Sequence, residues 1–291
     1  MTPTDPSQGA DRSPKGDGPR LYGAGRQSRV TLHDLAEAKL RGERWPMLTA
    51  YDAMTARLFD EVGVPVLLVG DSAANVVYGY ETTIPITMDE LVPLVAAVTR
   101  GTRRALVVAD MPFGTYQASA DQALEQAARF LKEGGAHAVK LEGGQRILPQ
   151  VEALVGAGIP VMGHLGLTPQ SVNALGGYRV QGRGGSGERL LRDAKSLESA
   201  GAFAVVLEVV PADLAARVTE SLSIPTIGIG AGAGCDAQVN VWQDLVGLTP
   251  APHPKFIRPY ADTRSVIADA VRAWSDDVVS GQYPSSDQSY H

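Results

Sequence analysis

Six short apolar runs recur along the chain, and most of them end in a residue with a reactive side chain. The side chains at these ends belong to Asp71, Asp110, Lys140 with Glu142, His164 and Glu208, and the sixth run leads into Gly230 and Gly232. Continuous apolar runs of this length are typical of strands buried on both faces. A helical pattern follows each run, so the chain predicts an alternation of strands and helices.

This alternation predicts an α/β fold, a (β/α)₈ TIM barrel. A strand at residues 47–50 and a short one at 238–242 complete the set of eight, and strand ends recur about every 30 residues, the size of one βα unit. The competing prediction is an open doubly wound sheet, which would place a glycine-rich phosphate turn after an early strand. The early strands end in Asp71-Ser72 and Asp110-Met111 instead, which favours the barrel.

The predicted helices carry recognisable start signals. Thr87 with Glu90, and Ser119 with Gln122, fit the capping-box pattern. Pro93 lies inside the helix that follows Thr87, where a proline normally causes a kink.

The domain organisation follows from composition. Residues 1–27 are rich in Pro, Gly, Ser and Asp, so we expect a disordered N-terminal tail, with residues 28–291 forming one catalytic barrel domain. Cys235 is the only cysteine, which fits a reducing compartment. No apolar run is long enough to span a bilayer, and the net charge of −6 argues against a nucleic-acid surface.

Three acids at successive strand ends suggest a metal site. The carboxyl ends of barrel strands meet at one rim, so Asp71, Asp110 and Glu142 would share a pocket. Oxygen ligands without thiolates or paired histidines suit Mg²⁺ better than Zn²⁺. The alternative is that these acids cap the helices that follow them, for which Glu142 is a poor residue type.

Lys140 and His164 leave several roles open. Lys140 lies on the same strand face as Glu142, and an inward-facing lysine is costly unless it meets anions. It could bind an anionic substrate, form a Schiff base, or pair with Glu142. His164 could be a hydrogen-bond donor, a metal ligand or a core residue.

Glu208 is the candidate general base. It follows five apolar residues, and loss of hydration makes a carboxylate a stronger base. The alternative is that it stabilises the N-terminus of the next helix. A metal that chelates a 2-oxo acid, with a base beside the adjacent carbon, is what enolisation of such an acid needs.

The chain resembles the ketopantoate hydroxymethyltransferase family. The motifs that carry the resemblance keep their order over roughly residues 30–284 and lie at residues 68–76, 107–114, 138–144, 162–171, 176–183 and 228–232. Two segments depart from the family pattern, at residues 230–238 and 286–291. Neither includes a candidate metal ligand or the base, although the second puts oligomer contacts in doubt.

The resemblance implies a barrel of the phosphoenolpyruvate mutase/isocitrate lyase type. It implies transfer of a hydroxymethyl unit from 5,10-methylenetetrahydrofolate to 3-methyl-2-oxobutanoate, giving 2-dehydropantoate for pantothenate and coenzyme A synthesis. It also implies a cytoplasmic homo-oligomer, commonly a decamer. By matching motifs, the resemblance assigns Mg²⁺ binding to Asp71, Asp110 and Glu142. It assigns contacts with the substrate to Asp71, Ser72, Asp110 and Lys140, and it makes Glu208 the proton acceptor. His164 lies in a motif near the substrate.

Two other functions compete with this interpretation. One is a Mg²⁺-dependent carbon–carbon lyase or mutase that acts on 2-oxo acids with the same fold. A lyase of the isocitrate type needs a thiol on a mobile loop, whereas Cys235 lies beyond the seventh predicted strand. The other is an inactive barrel that serves as a binding or scaffold protein, for which we would expect one of the strand-end polar residues to be missing.

Overall fold

Eight parallel strands close into a barrel in chain order. The computed structural model of the chain describes residues 20–23 and 28–290. The strands are β1 Trp45–Thr49, β2 Val66–Val69, β3 Leu106–Asp110, β4 Ala138–Glu142, β5 Val161–Gly166, β6 Ala204–Glu208, β7 Thr226–Ile229 and β8 Ala237–Asn240. The predicted TIM barrel is therefore confirmed.

Helices follow the strands, as the alternation predicted. They are α1 Leu32–Arg41, α2 Ala53–Glu61, α3 Ala73–Val76, α4 Met88–Gly101, α5 Ala120–Lys132, α6 Leu148–Gly156, α7 Val172–Leu175, α8 Ser186–Ser199 and α9 Ala212–Ser221. Thr87 and Glu90 form the predicted capping box at the start of α4, and this helix runs on through Pro93. Ser119 caps α5 by accepting a hydrogen bond from the Gln122 N–H.

The strand register brings the polar residues of neighbouring strands level with one another. Asp110 on β3 is opposite Lys140 on β4, and Glu142 on β4 is opposite His164 on β5. Glu208 at the end of β6 is opposite Gly166. Because all strands run the same way, these side chains gather at the carboxyl end of the barrel.

A hydrophobic core at the opposite, amino end of the barrel extends into the predicted tail. The core there includes Val30, Leu35, Trp45 and Met47, together with Leu21, which is fully buried. The Leu21 N–H donates to Glu43 Oε1 at 2.6 Å. Leu21 therefore packs as a core residue, although we expected it to belong to a disordered tail. Residues 1–19 and 24–27 of the predicted tail lie outside the described part of the chain.

The chain divides into two compact units, of which the first ends at Val239 and the second begins at Asn240. The second unit holds α10 Trp242–Leu245 and α11 Thr263–Ser280. Asp262 caps α11, and Gly281 ends it in the left-handed conformation. That residues 28–291 act as one catalytic domain stays a prediction.

Candidate active site at the carboxyl end of the barrel

The predicted site residues of strands β2 to β6 come together at the carboxyl end of the barrel. Asp71, Asp110, Lys140, Glu142 and His164 are at most 5% exposed. The Glu208 side chain is 16% exposed, so it lies at the solvent side of the group. Buried ionisable groups are costly unless they are paired, and a cluster of them at a barrel rim is typical of an active site.

Lys140 lies at the centre of this group. Its Nζ is 2.9 Å from Asp110 Oδ1 and 3.0 Å from His164 Nδ1, with Glu142 Oε1 at 4.0 Å. Burial opposes the charge of the ammonium, but the carboxylates of Asp110, Glu142 and Asp71 outweigh it and raise the Lys140 pKa. The lysine is therefore a buried cation, which fits the ion-pair and anion-binding roles and disfavours the Schiff base.

The surroundings of two of the acids disfavour their charged forms. Burial and the like charges of Asp110 and Glu142 raise the pKa of Asp71 well above its ordinary value. Burial also raises the pKa of Asp110, with Glu142 adding to the effect and Lys140 opposing it. Carboxylates this close in a dry environment repel each other, so the site favours the arrival of a cation.

His164 lies between the acids and the candidate base. Its Nδ1 is 3.4 Å from Glu142 Oε1, and its Nε2 is 3.2 Å from Glu208 Oε2. Burial and Lys140 oppose its charge, yet Glu142 and Glu208 together raise its pKa to about 9. Of the roles left open by the sequence, the geometry favours that of a polar residue within ion-pairing distance of both glutamates, although its Nε2 and Glu142 Oε1 make no hydrogen bond of good geometry.

Gln170 and Tyr116 are site residues that the sequence reasoning did not single out. The Gln170 backbone N–H donates to Glu142 Oε2 at 3.0 Å, and its side-chain Nε2 donates to Asp71 Oδ2 at 3.1 Å. The Tyr116 hydroxyl donates to Gln170 Oε1 at 2.8 Å. Gln170 thus holds two of the acids in place, and Tyr116 holds Gln170. Gln170 lies within the family motif at residues 162–171, and this was the only indication in the sequence that it could belong to the site.

Ser72 and Tyr178 lie at the edge of the site. The Ser72 hydroxyl is 2.8 Å from the Tyr51 hydroxyl, which fixes its position beside Asp71. The Tyr178 side chain is more than half exposed. Partial loss of hydration, together with the negative charges of Glu208, Asp71 and Glu142, raises the pKa of its hydroxyl. Tyr178 lies in the loop that follows α7.

The backbone around Glu208 is held in an unusual conformation. Val209, the next residue, has a positive φ of 49°, which is strained for a β-branched side chain. The Leu167 N–H donates to the Glu208 carbonyl, and the Val209 N–H donates to the Ile229 carbonyl, both at 2.8 Å. A Cβ at Gly166 would overlap the Glu208 carbonyl, so only glycine allows this approach. Neighbouring strands thus fix where the Glu208 carboxylate lies.

The donor set at this site fits a hard divalent cation. Asp110 Oδ1 and Glu142 Oε1 are buried and accept no hydrogen bond of good geometry. Within residues 20–23 and 28–290, no three or more His, Cys, Asp or Glu side chains are grouped so that they could hold a metal ion by themselves. Mg²⁺ does not need such a cage, since it is usually held by one or two carboxylates together with water and substrate oxygens.

Solved structures of other proteins share the fold of this chain. A solved structure of phosphonopyruvate hydrolase in complex with oxalate and Mg²⁺ has a TM-score of 0.57 with this chain, 14% identity, and coverage of 89% of this chain and 93% of that one. A 2,3-dimethylmalate lyase, a member of the phosphoenolpyruvate mutase/isocitrate lyase superfamily, has a TM-score of 0.56, 17% identity, and coverage of 87% and 89%. These likenesses show that the barrel fold is shared with both structures.

Sequence comparison identifies the family. The model of ketopantoate hydroxymethyltransferase matches residues 29–286. The 3-methyl-2-oxobutanoate hydroxymethyltransferase of Frankia alni is 65% identical, with coverage of 100% of this chain and 97% of the relative. That of Streptomyces coelicolor is 58% identical, with full coverage of both. The chain belongs to the ketopantoate hydroxymethyltransferase family and is an enzyme, a transferase, as the sequence motifs predicted.

None of the described helices is both long enough and apolar enough to cross a membrane.

Proposed function

We propose that this enzyme transfers a hydroxymethyl unit from 5,10-methylenetetrahydrofolate to 3-methyl-2-oxobutanoate and so makes 2-dehydropantoate, a precursor of pantothenate and coenzyme A. The observation that carries the proposal is the buried group at the carboxyl end of the barrel. It combines clustered carboxylates, a lysine held as a cation, and a glutamate on the solvent side next to a histidine. Membership of the family supports the choice of reaction.

Asp71, Asp110 and Glu142 are the residues that would hold Mg²⁺. When bound, the ion supplies Lewis-acid polarisation of the 2-oxo acid and so acidifies the proton at C3. The repulsion between these buried carboxylates supports this assignment, because a divalent cation relieves it.

Ser72 and Lys140 would bind the negative charge of the substrate. The Ser72 hydroxyl, positioned by Tyr51, would donate to the substrate carboxylate. The Lys140 ammonium would lie beside the oxygen that gains charge as the enolate forms, where a fixed cation lowers the barrier. Because its acidic neighbours keep it protonated, Lys140 would act without forming a covalent bond to the substrate.

Glu208 would take the C3 proton. Its carboxylate is the most exposed of the ionisable groups on these strands and is next to His164, so substrate could reach it from the solvent side. His164 would lie beside the carboxylate during this step. C3 would then bond to the methylene carbon of the folate, and water would supply the hydroxyl oxygen. Both bonds from that carbon to the folate nitrogens break, and the nitrogens take up one proton from C3 and one from water, which releases tetrahydrofolate. A base positioned in this way typically contributes about 10²- to 10⁴-fold to the rate.

Exchange of the C3 proton tests this assignment. With Mg²⁺ and no folate, the wild-type protein should exchange the C3 proton of 3-methyl-2-oxobutanoate with solvent deuterium, as followed by NMR. Glu208→Gln keeps the shape of the side chain and removes its basicity, so exchange should slow by about 10²-fold or more while the 2-oxo acid still binds. Glu61→Gln, an exposed glutamate at the end of α2, serves as the matched control.

Two results would contradict the proposal. Exchange at the wild-type rate in Glu208→Gln would exclude Glu208 as the base and leave His164 as the next candidate. Full activity after treatment with a chelator would exclude the metal requirement.

The cellular context of this proposal comes from the family resemblance. We propose a cytoplasmic homo-oligomer, with a decamer as the expected assembly. Light scattering coupled to size-exclusion chromatography measures the assembly directly.

A further inference from the structure

One oxygen of each buried carboxylate at the carboxyl end of the barrel is held by a donor within the chain. Asp71 Oδ2 accepts from the Gln170 side chain at 3.1 Å, and Glu142 Oε2 accepts from the Gln170 backbone N–H at 3.0 Å. Asp110 Oδ2 accepts from the Asp71 backbone N–H at 3.1 Å. Each acid is therefore left with one oxygen that these donors do not hold. For Asp110 and Glu142 that oxygen is buried and accepts no hydrogen bond of good geometry.

The Gln170 side chain is fixed in one direction by partners at both ends of its amide. Besides Asp71, its Nε2 donates to the Met111 backbone carbonyl at 2.9 Å. A carbonyl oxygen can only accept, so this end of the amide must be the N–H end. At the other end, Oε1 accepts from the Tyr116 hydroxyl at 2.8 Å. A reversed amide would place its oxygen against two acceptors, and Asp71 would lose its donor.

The Tyr116 hydroxyl is itself directed at Gln170. It accepts a hydrogen bond from the Glu142 backbone N–H at 3.1 Å, which leaves its own proton for Gln170 Oε1. Tyr116 and Gln170 are 1% and 4% exposed, so water does not compete for these bonds. A continuous chain of hydrogen bonds thus runs from the backbone of Glu142, through Tyr116 and Gln170, to the carboxylate of Asp71.

A carboxylate that offers one oxygen suits a small divalent cation better than a large one. Mg²⁺ has a strict octahedral geometry and keeps several water molecules, with one oxygen from each of one or two carboxylates. Ca²⁺ takes six to eight oxygens and often binds both oxygens of a carboxylate. Donors that hold the second oxygen of each acid therefore act against Ca²⁺ more than against Mg²⁺.

We propose that Gln170 makes this site selective for Mg²⁺ over Ca²⁺, because it holds the second oxygens of Asp71 and Glu142, and that Tyr116 fixes the direction of its amide. Both are positioning residues, since they act through the acids. The proposal rests on the proposed function, because it assumes that a divalent cation binds these acids.

Gln170→Met tests the role of the amide. Methionine has a similar length and keeps the backbone N–H to Glu142, but it frees the second oxygen of Asp71 for a cation. Chelator-treated, full-length protein is titrated with MgCl₂ or with CaCl₂, and the rise in Tm with salt concentration gives the Kd for each ion. The wild-type protein should bind Mg²⁺ more tightly. The ratio of the Ca²⁺ Kd to the Mg²⁺ Kd should fall about tenfold in the variant.

Gln150→Met is the matched control for the loss of a buried glutamine. Gln150 is 6% exposed and donates to the Tyr116 backbone carbonyl at 3.1 Å. Within the described part of the chain, it forms no hydrogen bond with the three acids. Its removal costs a hydrogen bond of the same kind without freeing a carboxylate oxygen, so the ratio of the two Kd values should stay within about twofold of the wild-type ratio.

Tyr116→Phe tests whether the hydroxyl acts through the amide. The variant should lower the ratio about threefold, because Gln170 Oε1 keeps only the Gln117 side chain as a donor, at 3.3 Å. In the double variant Tyr116→Phe/Gln170→Met the ratio should be no lower than in Gln170→Met, since the amide is already gone. A further fall in the double variant would overturn the role given to Tyr116.

Three other results would overturn the selectivity assigned to Gln170 and leave the proposed function intact. They are equal binding of Mg²⁺ and Ca²⁺ by the wild-type protein, an unchanged ratio in Gln170→Met, and an equal fall of the ratio in Gln150→Met, which would attribute selectivity to packing. If neither salt raises the Tm of the wild-type protein, the proposed metal site is wrong, and the inference about Gln170 falls with it.

Discussion

Acids are buried at both ends of this barrel, but their partners differ. At the amino end, Asp60 accepts hydrogen bonds from the backbone N–H groups of Arg103, Arg104 and Ala105 at 2.9, 3.0 and 2.6 Å. At the carboxyl end, Asp71 accepts a hydrogen bond from the Gln170 side chain and faces the like charges of two other carboxylates.

Asp236 repeats the pattern of the amino end. Its Oδ2 accepts from Lys39 Nζ at 2.8 Å and from the Thr226 N–H at 2.9 Å, so a cation and the backbone share one carboxylate. Acids that are paired in this way stabilise the fold, whereas clustered acids cost folding free energy and leave charge available for a ligand. Burial alone therefore does not distinguish the structural acids Asp60 and Asp236 from Asp71; the charges and donors around each carboxylate do.

The largest expected effect comes from neutralising an acid at the carboxyl end. Asp71→Asn keeps the shape and removes a charge that its neighbours repel, so kcat/KM should fall about 10³-fold or more while Tm stays the same or rises by about 2–4 °C. Enzyme assays with Mg²⁺ and calorimetry on the same preparation measure both. A clear drop in Tm would mean that Asp71 stabilises the fold as Asp60 does, and it would contradict the distinction between the two acids.

The reverse outcome is expected at the amino end. Asp60→Ala leaves three backbone N–H groups without their charged acceptor and should lower the free energy of unfolding by about 3 kcal/mol or more. The kcat per folded molecule should not change. Urea unfolding followed by tryptophan fluorescence measures the loss, and Asp60→Asn, which keeps one acceptor oxygen, should lose less. A selective loss of kcat in either variant would contradict this prediction.

A smaller loss is expected from removing Leu21. A chain that begins at residue 28 loses this fully buried side chain and its N–H bond to Glu43. The free energy of unfolding should fall by about 2–4 kcal/mol, with little change in kcat. A chain that begins at residue 20 keeps Leu21 and should match the full-length protein in both measurements. If the two shortened chains are equally stable, the contact made by Leu21 does not contribute to the fold.

The smallest effect is a pH dependence of stability at the amino end. Burial and the charge of Arg29 lower the pKa of His137 to about 4, and its Nδ1 accepts a hydrogen bond from the Val107 N–H. Between pH 6.5 and pH 4 the unfolded chain therefore binds more protons, so this contribution to stability is present above about pH 6.5 and is lost as pH falls through about 4.

This loss should amount to about 2 kcal/mol, allowing for partial exposure of the ring. His137→Asn keeps an acceptor but does not titrate, so its stability should vary less over the same pH range. Unfolding curves at several pH values compare the two proteins. Equal slopes would assign the pH dependence to other groups.

Much of this architecture could be predicted from the sequence because its signals are local. Apolar runs of strand length, each followed by a helical pattern, indicated the barrel, and parallel strands bring their carboxyl ends to one edge whatever the sequence between them. Asp71, Asp110 and Glu142 could therefore be assigned to one pocket without knowing any distance.

The remaining site residues depended on contacts between distant segments. Gln170 lies in a loop with no periodic pattern, and only closure of the barrel brings it against both Asp71 and Glu142. Tyr116 reaches Gln170 from a position 54 residues earlier. Hydrogen bonds of this kind leave no trace in composition or spacing, because each partner is unremarkable in its own segment.

The sequence by itself determined the order of strands and helices, the end of the barrel that holds the acids, and the family. The tertiary structure decided which of several open roles Lys140 and His164 take, the first as a buried cation and the second between two glutamates, and it placed Leu21 in the core. The physical reason is that strand and helix formation depend on neighbours along the chain, whereas charge, hydration and hydrogen bonding depend on neighbours in space.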